Sequence, residues 1–271
     1  MKPYVIVTPG YTEKSWGVRT LHQLCHLLNL MEVPAYLVFL NREATNPGWT
    51  TPTARRSHIR DGIVIYPEII PNNFLDAPRV VRWLLNRPGY INGQRIDCGR
   101  DDYVMAWSRI VDDTKPILNL QISNEGIFHP HQTPERAGDL FYLGKGNPAA
   151  RLPDLEQGKT QITREWPANH RDLADLLRRS RMVYSYDALS GINYEATLCG
   201  ALCVILPNGP YTRTDIAKGE LGLNGIAWGT GPEEIDRAWR TLPDAWPRYL
   251  ETIAREPAAI REFVETTQVR W

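Results

Sequence analysis

The chain has 271 residues, and 31 Lys and Arg balance 31 Asp and Glu, so its formal net charge is zero. That length allows two small domains or one large one. A balanced charge gives no strong signal for nucleic acid, which needs a basic surface. The sequence holds no apolar run of transmembrane length, and its first apolar stretch is too short for a signal peptide. We therefore expect a cytoplasmic protein, with a peripheral position at a membrane left open.

Short apolar runs alternate with helical patterns through the first half of the chain. Ser15 or Thr20 can begin the first helix, and Pro78 suits the first turn of the second. This alternation is typical of a parallel sheet wrapped by helices. The predicted strands are Tyr4–Thr8 and residues 35–40, 62–66, 103–108 and 117–122, and the predicted helices are residues 21–30 and 76–85.

Residues 124–138 interrupt the alternation with Pro130, Pro134 and two glycines, so we interpret them as a linker between domains. The alternation then restarts, and helices punctuated by prolines follow from Pro232. The sequence thus predicts an α/β protein with two Rossmann-like domains, at residues 1–135 and 136–244, followed by C-terminal helices at 245–271. The second set of predicted strands is 140–143, 160–163, 182–186, 202–206 and 225–228, with helices at 171–179 and 192–199.

The richest chemistry follows the predicted strand that ends near residue 186. Ligands of open α/β sheets bind outside the carboxyl ends of the strands. The amides of Ser190, Gly191 and Ile192 would begin a helix there, and a helix N-terminus attracts phosphate. Glu195 lies about one turn further on, where its carboxylate can accept two ribose hydroxyls.

The spacing of two acids in this segment carries a family resemblance. Asp187 and Glu195 are separated by seven residues, and Glu195 and Ala196 precede Gly200 and an apolar strand. This pattern resembles the Glu-x7-Glu signature of retaining GT-B glycosyltransferases, the class of glycogen and sucrose synthases. The resemblance implies that Asp187, which stands where that family has Glu, lies near the transferred sugar. It also implies that Glu195 binds the nucleotide ribose and that the turn between them holds the diphosphate.

A second segment resembles the same family. Gly144 and Lys145 follow a predicted strand, as the family's Gly-Arg or Gly-Lys pair does. The resemblance implies that Lys145 neutralises the diphosphate leaving group and that Arg151 is a second cation.

The first domain offers a third resemblance. The segment from Gly10 to Arg19 is similar to the Gly-containing loop that the family places under the donor phosphates and beside the acceptor. Trp16, Gly17 and Arg19 are the candidates there. The family also returns its last helices, residues 245–271 here, across the first domain.

The resemblance implies a glycosyltransferase that moves a sugar from a nucleotide-diphosphate sugar to a hydroxyl of a glycan, a lipid-linked molecule or another acceptor. No Asp-x-Asp motif is present, so we expect a donor site without metal and without any other cofactor. Four alternatives stay open: an inverting GT-B transferase, an enzyme like the nucleotide-sugar 2-epimerases, a catalytically silent sugar-nucleotide-binding protein and a DNA-modifying transferase. From the residues alone, Asp187 could also be an N-cap and Glu195 an ordinary helical residue.

The histidines and cysteines admit simpler interpretations. His22 and His26 have the i,i+4 spacing of helical metal ligands, but no Glu of the metalloprotease pattern lies between them, and packing of a core helix is favoured. The four cysteines form no Cys-x-x-Cys pair, so we expect small buried thiols.

Overall fold

The computed structural model describes residues 1–131 and 135–271. The chain forms two compact units, one of Met1–Ile122 with Ile253–Trp271 and one of Ser123–Thr252. Pro134, part of the predicted linker, lies outside the described residues. Within the described ranges, no helix has both the length and the apolar character needed to cross a bilayer.

The first unit is built on one parallel sheet of five strands in the order β2-β1-β3-β4-β5. Ser15 caps α1 by accepting the N–H of Val18, which confirms one of the two predicted starts. Its elements are β1 (Tyr4–Thr8), α1 (Trp16–Leu30), β2 (Ala35–Phe39), α2 (Arg56–Asp61), β3 (Ile63–Pro67), β4 (Val80–Leu84) and β5 (Tyr103–Ala106).

The second unit is built on a second parallel sheet of five strands, in the order β10-β9-β8-β6-β7. Its elements are β6 (Asp139–Tyr142), α3 (Pro153–Glu156), β7 (Thr160–Ile162), α4 (His170–Arg179), β8 (Met182–Ser185), α5 (Gly191–Leu198), β9 (Leu202–Ile205), α6 (Arg213–Ala217), β10 (Ile226–Trp228), α7 (Pro232–Thr241) and the first residues of α8 (Ala245–Arg270).

The burial of the strands explains their apolar sequences. Every residue of β1, β3 and β4 is buried in the first unit, as is every residue of β9 in the second. Parallel sheets are covered on both faces, so their strands are near-continuous apolar runs. The predicted fold class, an α/β protein with two Rossmann-like units, is confirmed.

Residues 76–85 were predicted to form a helix, and that prediction is wrong. They contain β4. Asp76 has a φ of 49°, which a right-handed helix does not allow. The prediction failed because a short buried strand and a buried helix have similar apolar runs. The polar residue in this run, Arg82, is buried and donates to Asp102 at 2.9 Å. The strand predicted at residues 117–122 is also wrong, since Ile117 makes only an isolated bridge to Ala106.

The C-terminal helix α8 runs on past Pro257, and its residues from Ile253 belong to the first unit. There the Tyr4 hydroxyl lies 2.5 Å from Thr267 Oγ1, and the Tyr4 ring packs 5.3 Å from the ring of Phe263. The end of the chain therefore covers the first strand of the first sheet.

Both sheets follow one winding rule. Numbered within its own unit, each has the strand order 2-1-3-4-5. Such a sheet reverses its winding between its first and third strands, and ligands bind at the carboxyl ends of those two strands. In the second unit these strands are β6 and β8.

Candidate functional site

The register of the second sheet brings two predicted site residues together. Tyr142 at the end of β6 is paired with Ser185 at the end of β8. Gly144 and Asp187 lie two residues beyond this pair, at the carboxyl edge of the sheet where the winding reverses. The loops after β6 and β8 therefore form one site.

The Asp187 carboxylate fixes the loop after β6. Its Oδ2 accepts the backbone N–H of Lys145 at 3.0 Å and lies 3.1 Å from Lys145 Nζ. Lys145 Nζ also donates to the Leu189 carbonyl at 2.9 Å. An ammonium group has three N–H donors, so one remains for a ligand.

The other oxygen of Asp187 is unsatisfied. Asp187 is 1% exposed, and its Oδ1 has no hydrogen-bond partner among the described residues. Asn193, 2% exposed, donates from Nδ2 to the carbonyls of Asp187 and Ala188, and its Oδ1 is likewise without a partner there. Buried polar atoms normally have partners, so these two acceptors are free to receive donors from a ligand or from water.

Gly144 makes this arrangement possible. Its φ is 56°, in the left-handed region that favours glycine. A Cβ at this position would lie 2.6 Å from Asp187 Oδ2 and 2.5 Å from the Tyr142 ring. Any other residue would displace the carboxylate that holds Lys145.

The start of α5 lies beside Asp187. Ser190 is the N-cap residue of this helix, but its side chain does not cap it. The first N–H groups of a helix have no partner within it, and they attract anions. The structure thus places Ser190, Gly191 and Ile192 at the predicted helix start, next to Lys145.

Glu195 lies one turn into α5, away from the contacts between Asp187 and Lys145. It is 5% exposed, and Ser123 Oγ donates to its Oε1 at 3.5 Å. The two acids of the motif therefore have different surroundings within one strand, loop and helix.

Arg151 is held outside this group of contacts. Its Nε lies 3.0 and 3.1 Å from the two carboxylate oxygens of Glu156, and its guanidinium lies over the Phe141 ring. The hydrogen bond from Arg151 lowers the pKa of Glu156. The pair is part of the packing around α3.

The three candidates of the first unit belong to helix α1, which begins earlier than predicted. Trp16 is its first residue and packs edge-on against Trp107, with ring centroids 5.9 Å apart. Gly17 follows it, and a Cβ there would meet Leu85 at 3.6 Å, an ordinary contact. Arg19 is buried and donates from Nη2 to the Ile122 carbonyl, while its Nε and Nη1 have no partner among the described residues.

One residue at the site carried no signal in the sequence. Tyr142 is the last residue of β6, and its pairing with Ser185 brings it to the same edge as Asp187. Burial, followed by the nearby Asp187 charge, raises the pKa of Tyr142, so its hydroxyl stays protonated. Tyr142 belongs to no recognisable motif, and only the pairing of β6 with β8 brings it beside Asp187.

The histidine prediction is confirmed, and the cysteine prediction is wrong at one position. His22 packs against Tyr11 and Phe39, and His26 stacks on Trp49 with its Nδ1 accepting the Thr50 N–H. Three of the cysteines are buried, whereas Cys98 is exposed because it lies in the long loop after β4.

The chain is similar in fold to a solved glycosyltransferase. That structure, "Crystal Structure Analysis of the Glycotransferase of kitacinnamycin", matches with a TM-score of 0.55 and 9% sequence identity, over 98% of this chain and 99% of the other. The chain has the GT-B fold. No protein-family model matches the sequence, and no curated protein does.

Proposed function

We propose that the chain is a glycosyltransferase that moves a sugar from a nucleotide-diphosphate sugar to a hydroxyl of an acceptor. The observation that carries this proposal is a pair of buried oxygens, Asp187 Oδ1 and Asn193 Oδ1, that have no partner among the described residues and lie beside a cation and a helix start. Sugar hydroxyls supply the donors that the oxygens lack, and diphosphate oxygens accept from Lys145 and the α5 amides. A nucleotide-diphosphate sugar combines both groups in one molecule.

In the proposed reaction, the bond from the anomeric carbon to the diphosphate oxygen breaks. Lys145 and the start of α5 offset the charge that develops on the departing diphosphate. The acceptor oxygen bonds to the anomeric carbon, and its proton leaves with the nucleoside diphosphate. Asp187 would accept a sugar hydroxyl through Oδ1, and Glu195 would hold the ribose.

We propose that the anomeric configuration is retained, because the spacing of Asp187 and Glu195 resembles that of the retaining family. The fold likeness to a glycosyltransferase supports transfer in general. Proton NMR of the glycoside product gives the coupling constant of its anomeric proton, and comparison with the donor distinguishes retention from inversion.

The test of the function is turnover with UDP-, GDP-, ADP- and dTDP-sugars, with and without a panel of glycan and lipid-linked acceptors. Release of nucleoside diphosphate that depends on an acceptor supports a transferase. Conversion of the donor without acceptor to an epimer supports the epimerase alternative. Tight binding without any turnover supports a silent binding protein.

We also expect turnover to survive EDTA, because Lys145 and the helix start supply the positive charge that a metal would otherwise bring. The measurement is the steady-state rate before and after exhaustive treatment with EDTA. A rate that falls and then recovers with Mn²⁺ or Mg²⁺ would contradict a metal-free donor site.

A further inference from the structure

Two buried side chains hold the first carbonyl groups of the loop after β8. Asn193 Nδ2 donates to the carbonyl of Asp187 at 2.9 Å and to that of Ala188 at 3.1 Å. Ser185 Oγ, at the end of β8, donates to the Asp187 carbonyl at 3.0 Å and accepts the Asp187 N–H at 3.3 Å. Asn193 is 2% exposed and Ser185 is 0% exposed, so bulk water does not compete for these hydrogen bonds.

These hydrogen bonds decide which way the N–H groups of the loop point. The peptide bonds of this segment are trans, and the C=O and N–H of a planar trans peptide unit point in opposite directions. Since both carbonyls face the Asn193 side chain, the N–H groups of Ala188 and Leu189 face away from it. The Asn193 side chain therefore sets the orientation of two successive peptide units.

The N–H groups of this segment and of the helix start have no partners within the described protein. Those of residues 188–192 donate to no described residue, and the last two belong to the first turn of α5. Successive N–H groups of a turn that leads into a helix bind anions, because each carries a partial positive charge. Lys145 Nζ lies beside them, since it donates to the Leu189 carbonyl at 2.9 Å. A phosphate group therefore fits the side of the loop opposite Asn193.

We propose that Asn193 and Ser185 are the positioning residues of the diphosphate loop, which we define as residues 187–192. They hold its first carbonyl groups and thereby keep the following N–H groups turned toward the diphosphate. This inference rests on the proposed function. It gives Asn193 Nδ2 a task separate from that of Asn193 Oδ1, which accepts a sugar hydroxyl in the proposed reaction.

The test compares the affinity for a nucleoside diphosphate with that for the matching nucleoside, by calorimetry or by competition. The probe is whichever of UDP, GDP, ADP and dTDP the wild-type protein binds most tightly. Asn193→Ala removes two hydrogen bonds and should weaken binding of the diphosphate about tenfold. The nucleoside should bind unchanged, because it has no phosphate to meet the loop. Ser185→Ala should give a smaller loss of the same kind, because Asn193 still holds both carbonyls.

Thr197→Val is the matched control. Thr197 is 2% exposed on the same helix, and its Oγ1 donates to the Tyr194 carbonyl at 2.8 Å, within α5. This variant should bind both probes as the wild type does. Urea unfolding of each variant checks that it is folded, and Ser185→Ala decides the test if Asn193→Ala is not.

Wild-type affinity for the diphosphate in the folded variants would overturn the inference. Equal losses for the diphosphate and the nucleoside would also overturn it, because they indicate a general disturbance of the fold. So would a loss seen only with the complete nucleotide-diphosphate sugar, since Asn193 would then act through Oδ1 alone. In these three cases the proposed function stands if the wild-type protein transfers sugar. If the wild-type protein bound none of the four diphosphates, both would fall.

Discussion

At the scale of single residues, the two oxygens of Asp187 have separate tasks. Oδ2 holds Lys145, and Oδ1 is buried without a partner among the described residues. Asp187→Asn keeps the shape but removes the charge that orients Lys145 and that, in the proposed reaction, faces the developing positive charge of the sugar. We expect kcat to fall by roughly 10²–10³, the usual cost of losing a charge contact made in the transition state.

Glu195→Gln should act differently. The ribose does not react, so a contact to it is nearly equal in the ground and transition states, and its loss should raise KM and weaken nucleotide binding. Steady-state kinetics and calorimetry on both variants check the difference, with the exposed Asp236→Asn as control. Full kcat in Asp187→Asn together with unchanged nucleotide affinity in Glu195→Gln would show that the motif is structural here.

Two glycines allow the cost of a left-handed backbone conformation to be separated from the cost of a steric clash. Gly144 and Gly158 both have a positive φ, of 56° and 72°, but only at Gly144 would a Cβ meet other atoms within 4 Å. Each Gly→Ala variant should lose about 1–2 kcal/mol of stability from the left-handed backbone. Only Gly144→Ala should also lose activity, because its methyl group displaces Asp187.

Urea unfolding and steady-state rates on both variants provide the measurement. Equal activity in the two variants would mean that the loop after β6 does not need its close approach to Asp187.

The sequence led to the site residues that one short segment contains. Asp187, Ser190 and Glu195 share a strand, loop and helix, so their proximity could be expected from the motif. The ion pair between Lys145 and Asp187 joins two loops that only strand pairing brings together. Tyr142 could not be found for the same reason, since its place beside Asp187 depends on the register of β6 with β8.

At the scale of secondary structure, the strands of the second unit were predicted well because each is a short apolar run bounded by turn residues. The helix predicted at residues 76–85 failed because a buried parallel strand lacks the alternation that distinguishes strand from helix. Arg82 interrupts the apolar run with a polar residue, which made a buried strand look less suitable. Its interior partner Asp102 could not be predicted, because their pairing is a tertiary contact.

The carboxylate of Glu234 links α7 to α6 and β10 by hydrogen bonds. It accepts from Arg237 at 2.9 Å, from Arg213 at 2.8 Å and from the Trp228 N–H at 3.3 Å. These hydrogen bonds, led by that of Arg237, lower the pKa of Glu234 from 4.5 to about 2. A lowered pKa stabilises the fold above the ordinary value, and this stabilisation is lost as the pH falls toward the folded value.

We therefore expect the free energy of unfolding to fall between about pH 5 and pH 3, with Glu234 accounting for at most about 2 kcal/mol of the decrease. Glu234→Gln removes the titrating group and should show a correspondingly smaller decrease. Urea unfolding of both proteins at the two pH values checks this. Identical pH dependence in the two proteins would exclude Glu234 as the source.

At the scale of the whole molecule, the cysteines report how tightly the interior of each unit is packed. Burial raises the pKa of Cys25 and of Cys199 to about 12 and raises that of Cys203 as well. Thiolates are the reactive form and burial also keeps the reagent away, so these three should resist alkylation in the native protein at neutral pH. Partial burial raises the pKa of Cys98 too, but this thiol is exposed and should react.

Mass spectrometry after iodoacetamide treatment should find Cys98 modified in the native protein and all four cysteines modified in urea. Cys98→Ser is the control and should stay unmodified until it unfolds. Fast native labelling of Cys199 or Cys203 would reveal local opening between α5 and β9.

The position of β7 at the edge of its sheet affects which segments of the protein tolerate mutation. Within the described part of the chain this strand pairs only with β6, and two of its three residues are exposed. Mutations, insertions and deletions after it disturb little of the packed interior, because surface loops tolerate them far better than buried strands do. The segment after β7 should therefore tolerate replacement, while Gly144 and Asp187, confined between inner strands, should resist it. In directed evolution, a library built at residues 163–169 should give fewer unfolded variants than one built at residues 186–192.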